Sequence, residues 1–295
     1  MEKEHTVDSR EIGLVLGKLL LNVEDLHYGL WEEDIPLSLD NLAKAQQRYT
    51  DRLIEALPAV DGHPEGRPVR ILDVGCGTGN LLVQLRSMGY HADGVVPSPS
   101  LARLVEKRLA ELPNQDAKLF CTTFEEMETE PLAGHYDVVL FSESFQYIDM
   151  QASMSQAKRL MAPEGRVLIC DFFKTAAAGD GEPGDKVIGG GHSLSSFYRM
   201  VEEVKFSMLR DDDITHLVSP NMDLVDTLLM QKVKPSSEII WAWLRGNYPW
   251  SARLLGFVMR KKARKIQRKY FSGLRTGETF AKYKNYRFII MQPAD

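Results

Sequence analysis

The sequence predicts an α/β fold: a doubly wound, mostly parallel seven-stranded sheet with N-terminal helices and a helical lid inserted before the last strand. Three observations predict it. Between residues 69 and 173, short apolar β-branched runs alternate with amphipathic helical ones, the rhythm of right-handed βαβ units. The first of these runs ends in a glycine-rich turn that opens a helix. A long helical stretch then separates the last two extended runs. The 295 residues suit one such domain with additions, and 44% hydrophobic residues are enough for a sizeable core.

The elements follow in order. EIGLVLGKLLLNVEDL, residues 11–26, has apolar residues at helical spacing. SLDNLAKAQQRYTDRLIEAL opens on Ser38 as N-cap and runs amphipathically to Leu57. PAVDGHPEGRP is a linker by its Pro and Gly content. VRILDVG is a buried strand, NLLVQLRSMG a helix, HADGVV a strand and SLARLVEKRLAEL a helix. AKLFCTT and YDVVLFSES are strands, MQASMSQAKRLMAP a helix and GRVLICDFF a strand. GGGHSLSSFYRMVEEVKFSMLRDDDI gives a helix and a strand, NMDLVDTLLMQKV and 238–274 are mainly helical, and KNYRFIIMQ is the last strand. The chain therefore divides into an N-terminal helical cap at 1–66, a sheet core at 67–210, a helical insertion at 211–280 and the closing strand at 281–295. Such an insertion is placed as a lid, because doubly wound sheets bind ligands at the carboxyl ends of their strands.

Composition narrows the function. A net charge of −5 gives no reason to expect nucleic acid. Cys76, Cys121 and Cys170 form no CxxC pair, which speaks against a disulfide framework or a zinc site and for a reducing compartment. The charged start MEKEHTVDSREIG has no apolar h-region, and no apolar run approaches the roughly 20 residues that cross a bilayer. A cytoplasmic protein is expected.

The sharpest motif is ILDVGCGTGN, residues 71–80. Its glycines permit positive φ and let a ligand approach the backbone, and Asp73 stands at the strand end just before them. A dinucleotide site has G-x-G-x-x-G, whereas the third glycine here comes one residue early. A ligand-free turn is the bland reading. The run resembles the S-adenosylmethionine loop of class I, Rossmann-like methyltransferases. That resemblance implies that Asp73, Gly75, Cys76, Gly77, Thr78 and Gly79 hold the methionine part of the cofactor, with no metal. HADGVVPSPSL resembles the family's second strand end, but Val96 stands where an acid usually bonds the ribose, and Asp93 lies three residues earlier. Val96, Pro97 and Ser98 are therefore expected at the ribose through backbone or other groups. In CTTFEEM, Thr123, Phe124 and Glu125 correspond to the turn that brackets the adenine; Glu125 or Glu126 reads equally as a helix N-terminal acid. After DVVLF, the resemblance puts Ser142 and Glu143 beside the methionine part, with Phe145 and Tyr147 lining the substrate pocket or simply packing.

A second resemblance lies in HYGLWEEDIPLSLDNLAKAQ. It is similar to the N-terminal region of the branch that holds cyclopropane-fatty-acid synthases, mycolic-acid methyltransferases and tocopherol-type methyltransferases, carried here by Tyr28, Gly29, Trp31, Leu42, Ala45 and Gln46. It implies a segment folded over the cofactor, with Tyr28 and Trp31 as contacts and Tyr28 facing the substrate too. His27 and His192 are candidate general bases, His192 also a substrate contact; a lone His is more often structural or solvent-exposed. The basic run RKKARKIQRKY, 260–270, is a solvated helix face, or it attracts anionic lipid headgroups or an acidic carrier protein. WAWLRGNYPW nearby offers aromatics for an apolar pocket or an interface.

The resulting expectation is S-adenosylmethionine-dependent methyl transfer to a carbon or oxygen of a small lipophilic or aromatic metabolite, of the kind secondary metabolism makes. Two alternatives stand beside it: a cyclopropane-synthase-like enzyme acting on an alkene, and a non-catalytic cofactor-binding module, which the valine at 96 motivates.

Overall fold

The computed structural model describes residues 27–60, 63, 65–113 and 116–294. The helix expected over 11–26 lies outside the described residues. Strands β1 (Arg70–Val74), β2 (His91–Val95), β3 (Leu119–Phe120), β4 (Tyr136–Ser142), β5 (Met161–Lys174), β6 (Phe206–Asp213) and β7 (Lys284–Pro293) form one sheet in the order β3-β2-β1-β4-β5-β7-β6. β1 to β5 are mutually parallel, and β7 inserts antiparallel between β5 and β6. The expected mostly parallel, seven-stranded sheet is therefore present, with its one reversed strand coming last in the chain.

The described residues hold ten helices: α1 (Leu42–Glu55), α2 (Asn80–Ser87), α3 (Pro99–Leu109), α4 (Met150–Leu160), α5 (Leu194–Glu203), α6 (Thr215–Val218), α7 (Pro220–Leu228), α8 (Lys234–Asn247), α9 (Pro249–Tyr270) and α10 (Gly277–Tyr283). Strand side chains alternate between two cores. Val138 and Leu140 of β4 join Ile71, Leu168 and Phe288 under α1, α2, α3 and α10, whereas Val139 and Phe141 join Leu72, Ile169 and Ile289 under α4 and α5. The near-continuous apolar runs of β1, β4 and β5 follow from burial on both faces.

Several boundaries differ from the sequence reading. Ser38 makes no side-chain cap bond; its carbonyl instead accepts from Asn41 N–H in a 3₁₀ turn over Leu39–Asn41, so α1 begins at Leu42. α4 stops at Leu160 and β5 begins at Met161, because Pro163 disfavours helix at the residue before it. The third strand shrinks to Leu119–Phe120, and β6 runs to Asp213, past the expected domain limit at 210. None of the described helices is long and apolar enough to cross a membrane.

Candidate active site

β1 delivers the chain to the carboxyl edge of the sheet, where Gly75 turns it. Gly75 N–H and Cys76 N–H both donate to the Val95 carbonyl, at 2.8 and 3.1 Å, which clasps the loop to the end of β2. Gly75 has φ +80°, and a Cβ there would stand 2.5 Å from the Ser144 Cβ, so conformation and space both demand glycine. Gly77 differs. Its φ is +55°, but a Cβ would meet nothing nearer than the Gly75 carbonyl at 4.0 Å. Among the described residues no neighbour fills the space before Gly77, which leaves a cradle that a ligand can fill. Asp73 and Thr78 are buried, the Cys76 thiol is buried in the core, and Gly79 with φ +82° opens α2.

The second strand end offers no acid. Val96 is buried in the core, its backbone N–H donating to the Phe120 carbonyl; Pro97 is exposed and Ser98 caps α3, its Oγ accepting from Leu101 N–H. Asp93 is fully buried and committed elsewhere, accepting from Lys118 N–H and the Tyr136 hydroxyl. In the following turn, Thr123 donates to Glu126, and Phe124 is buried edge-on against Phe141, with centroids 5.5 Å apart. Glu125 accepts from the N–H of Asp149, the N-cap of α4, so its partner is a helix start.

Beyond β4 stands Glu143, a non-glycine residue with φ +53°. Backbone strain of this kind persists only where surrounding contacts fix it. Its N–H donates to the Cys170 carbonyl, and its Oε1 accepts from Tyr28 N–H at 2.8 Å and from the Tyr286 hydroxyl at 2.7 Å. Burial outweighs those two bonds and pushes the Glu143 carboxyl up to about 8. Asp171, at the end of β5, is fully buried too and pushed up to about 7, although three N–H groups from Gln146 and Phe172 donate to it. Ser142 Oγ lies 3.0 Å from the Tyr49 hydroxyl, which in turn is 3.3 Å from that of Tyr286.

The N-terminal segment closes this edge. Burial raises the Tyr28 hydroxyl far above its ordinary range, and the ring packs edge-on against Phe280 and Tyr286, with centroids 5.9 and 6.0 Å away. Asn221 clamps Gly29, accepting its N–H at 3.0 Å and donating to its carbonyl at 2.7 Å. His27 stacks on Tyr49 at 4.8 Å, its Nδ1 2.9 Å from the Tyr28 carbonyl. Trp31 is buried in a separate cluster with Ile35, Ala45 and Leu224.

The structure thus joins the glycine loop, Ser142, Glu143, His27 and Tyr28 into one continuous region, linked through Gly75 and Ser144. It does not expose every expected pocket residue. Phe145 is wholly buried among Phe141, Phe173 and Phe197 and so offers no ring face to a substrate; Tyr147 is 63% exposed. His192 packs on Phe145, its Nε2 3.0 Å from that residue's carbonyl. Sequence reasoning missed Tyr49, Tyr286, Asn221 and Lys284. Tyr49 lies on the buried stripe of α1 with Ala45, Gln46 and Leu53, and Tyr286 alternates with Phe288 along β7, so both had a periodic signal. Asn221 had none, since its partner is 192 residues away. Lys284, its ammonium over the Phe172 ring and donating to Gly190, is brought down to about 8 by burial and by Lys174.

A family described as a methyltransferase domain matches residues 42–216, and the chain belongs to it. Methyltransferase GfsG of Streptomyces halstedii is 29% identical over 151 residues, covering 50% of this chain and 51% of GfsG. O-methyltransferase rstn1 of Aspergillus nomiae is 28% identical over 172 residues, covering 57% and 70%. The chain spans about half the length of the first of these relatives. Geranyl diphosphate C-methyltransferase from Streptomyces coelicolor, solved with Mg2+, geranyl diphosphate and S-adenosyl-L-homocysteine, aligns with TM-score 0.65 and 16% identity over 95% of this chain and 93% of that one, a likeness of fold. S-adenosylmethionine is the cofactor of this family. The open space before Gly77, with buried Asp73 close by in sequence, suits its methionine part.

Proposed function

We propose that this protein transfers a methyl group from S-adenosylmethionine to a carbon or oxygen of a small, lipophilic or aromatic acceptor. The observation that carries the reading is the cradle at Gly77, where a Cβ has no close neighbour among the described residues, joined through Gly75 and Ser144 to the Glu143–Tyr28 junction. The bound sulfonium supplies an electrophilic methyl group, so the protein's task is alignment and exclusion of water. Asp73 and the backbone of Gly75–Gly79 orient the cofactor. Tyr28 faces the acceptor, its ring backed by those of Phe172, Phe280 and Tyr286, and α6, α7 and α10, between β6 and β7, act as its lid. An acceptor hydroxyl must lose a proton, and Glu143, His27 and His192 are assigned to receive it. The likeness to rstn1, an O-methyltransferase, and to the geranyl diphosphate C-methyltransferase supports that range of acceptor atoms. The basic run at 260–270 fits an anionic partner that presents the acceptor, a lipid surface or an acidic carrier.

Calorimetric titration with S-adenosylhomocysteine tests this. The wild type should bind at micromolar concentration, and Asp73→Asn should bind at least about tenfold more weakly, since a charge-assisted hydrogen bond is lost. Absence of heat from the wild type at millimolar ligand would overturn the reading.

A further inference from the structure

α8 and α9 form an antiparallel hairpin that turns at Tyr248 and packs chiefly on itself. Inside it, Gly256 faces Trp241, where a Cβ would stand 3.6 Å from the indole, and Ala252 is buried. The outer face is unusual for a helix in water. Ile239, Ile240, Trp243, Trp250, Leu254, Phe257 and Val258 are all more than half exposed, Trp250 reaching 79% and Phe257 78%. Apolar side chains exposed singly need no explanation, but a contiguous set such as this marks an interaction surface.

Charge is ordered along the same hairpin. Residues 229–270 hold eleven of the chain's 36 basic side chains and one of its 41 acidic ones, in a protein of net charge −5. The apolar residues that are more than half exposed all lie within ten positions of the turn; Val233, Met259 and Ile266, further out, are exposed to a lesser extent. Most of the basic residues lie further from it: Lys232 and Lys234 on one side, and Arg260, Lys261, Lys262, Arg264, Lys265 and Arg268 on the other. At ~1.5 Å of rise per residue, the apolar end reaches ~15 Å from the turn before the basic collar begins. That is about the thickness of one hydrocarbon leaflet. Two arginines interrupt the apolar end, and each sits over a tryptophan ring, Arg245 over Trp241 and Arg253 over Trp250. Arg245, drawn over a ring further from the turn, carries its charge back toward a headgroup layer, whereas Arg253 is drawn over a ring nearer the turn.

We propose that this hairpin docks on an anionic lipid surface, its turn in the acyl region and its collar against the headgroups. Depth-ordered apolar and cationic belts are what such a surface selects. An acidic carrier protein would pair the collar yet leave Trp250 and Phe257 in water. A second copy packed face to face would set one cationic collar against another. The proposal rests on the proposed function only in that the surface would hold the lipophilic acceptor.

The test is cosedimentation of the full chain with vesicles of phosphatidylcholine alone and of phosphatidylcholine with phosphatidylglycerol. Binding to the anionic vesicles only, released by high salt and accompanied by a blue shift of tryptophan emission, is the expected result. Trp250→Ser with Phe257→Ser, and separately Lys261→Glu with Lys265→Glu, should each weaken binding about tenfold or more. Both pairs should keep the wild-type circular dichroism and S-adenosylhomocysteine affinity. Three results would overturn the proposal: no binding to anionic vesicles, including the case where an acidic carrier protein binds instead; equal binding by the Ser variant; or a solution dimer that the Ser variant dissociates. Vesicle binding by a wild type that gives no heat with S-adenosylhomocysteine would sink the methyltransferase reading and leave the docking intact.

Discussion

Glu143 ties the fold's stability to pH. Its carboxyl is pushed from an ordinary 4.5 up to about 8, chiefly by burial. The folded chain therefore keeps a proton that the unfolded chain releases. The stabilising contribution is complete below about pH 4.5 and is lost as the pH rises to about 8. At about 1.4 kcal/mol per pKa unit the full shift amounts to about 5 kcal/mol, and its partial exposure and coupling to Asp171 bring the expected effect to about 2–4 kcal/mol. Both hydrogen bonds to the group land on Oε1, from Tyr28 N–H and the Tyr286 hydroxyl. Glu143→Gln therefore keeps an oxygen acceptor there and removes the charge. Urea unfolding followed by circular dichroism should find the variant more stable than wild type by about 2–4 kcal/mol near pH 8.5 and nearly equal to it near pH 5. Asp171→Asn is the contrast. Gln146 N–H donates to Oδ2, while Gln146 Nε2 and Phe172 N–H donate to Oδ1. An amide placed there turns a donor toward a donor, so this variant should lose about 1–3 kcal/mol near pH 5. A stability difference between wild type and Glu143→Gln that does not change from pH 5 to 8.5 would refute the argument.

The glycine loop separates folding from binding. Gly75→Ala drives a Cβ to 2.5 Å from Ser144 Cβ at positive φ and should cost at least about 2 kcal/mol in urea unfolding. Gly77→Ala meets no close neighbour among the described residues and should cost only about 1 kcal/mol, yet S-adenosylhomocysteine titration should lose at least about tenfold in affinity as the cradle fills. Asn221→Ala removes two bonds to Gly29 and one to the Val218 carbonyl, all buried, and should destabilise by about 2–3 kcal/mol. Because that clamp holds the segment carrying Tyr28, limited proteolysis should also cut the variant sooner between residues 27 and 36.

Much of the fold was legible because buried parallel strands and their covering helices write themselves into local periodicity. VRILDVG and DVVLF read as strands since both faces are buried, and Ala45, Gln46, Tyr49 and Leu53 read as one helix stripe since one face is. What periodicity does not encode is competition at the ends. Ser38 has the right side chain for an N-cap, but a 3₁₀ turn takes its carbonyl first. The candidate site divides along the same line. The loop from Asp73 to Gly79 is one contiguous segment, so its chemistry shows in one dimension. The Glu143 junction is assembled from Tyr28, Tyr49, Glu143 and Tyr286, spread over most of the chain, and each looks ordinary alone. Val96 shows the limit from the other side. Its sequence position suggests a ribose contact, but the side chain is spent on the core, and the acid three residues earlier is spent on Lys118 and Tyr136. A ribose held at this strand end must therefore be held by backbone or by another element. Substituting Val96→Ala should then cost core stability, about 1–3 kcal/mol by urea unfolding, while leaving S-adenosylhomocysteine affinity within about twofold. A larger loss of affinity than of stability would show that the side chain at 96 takes part in the site after all.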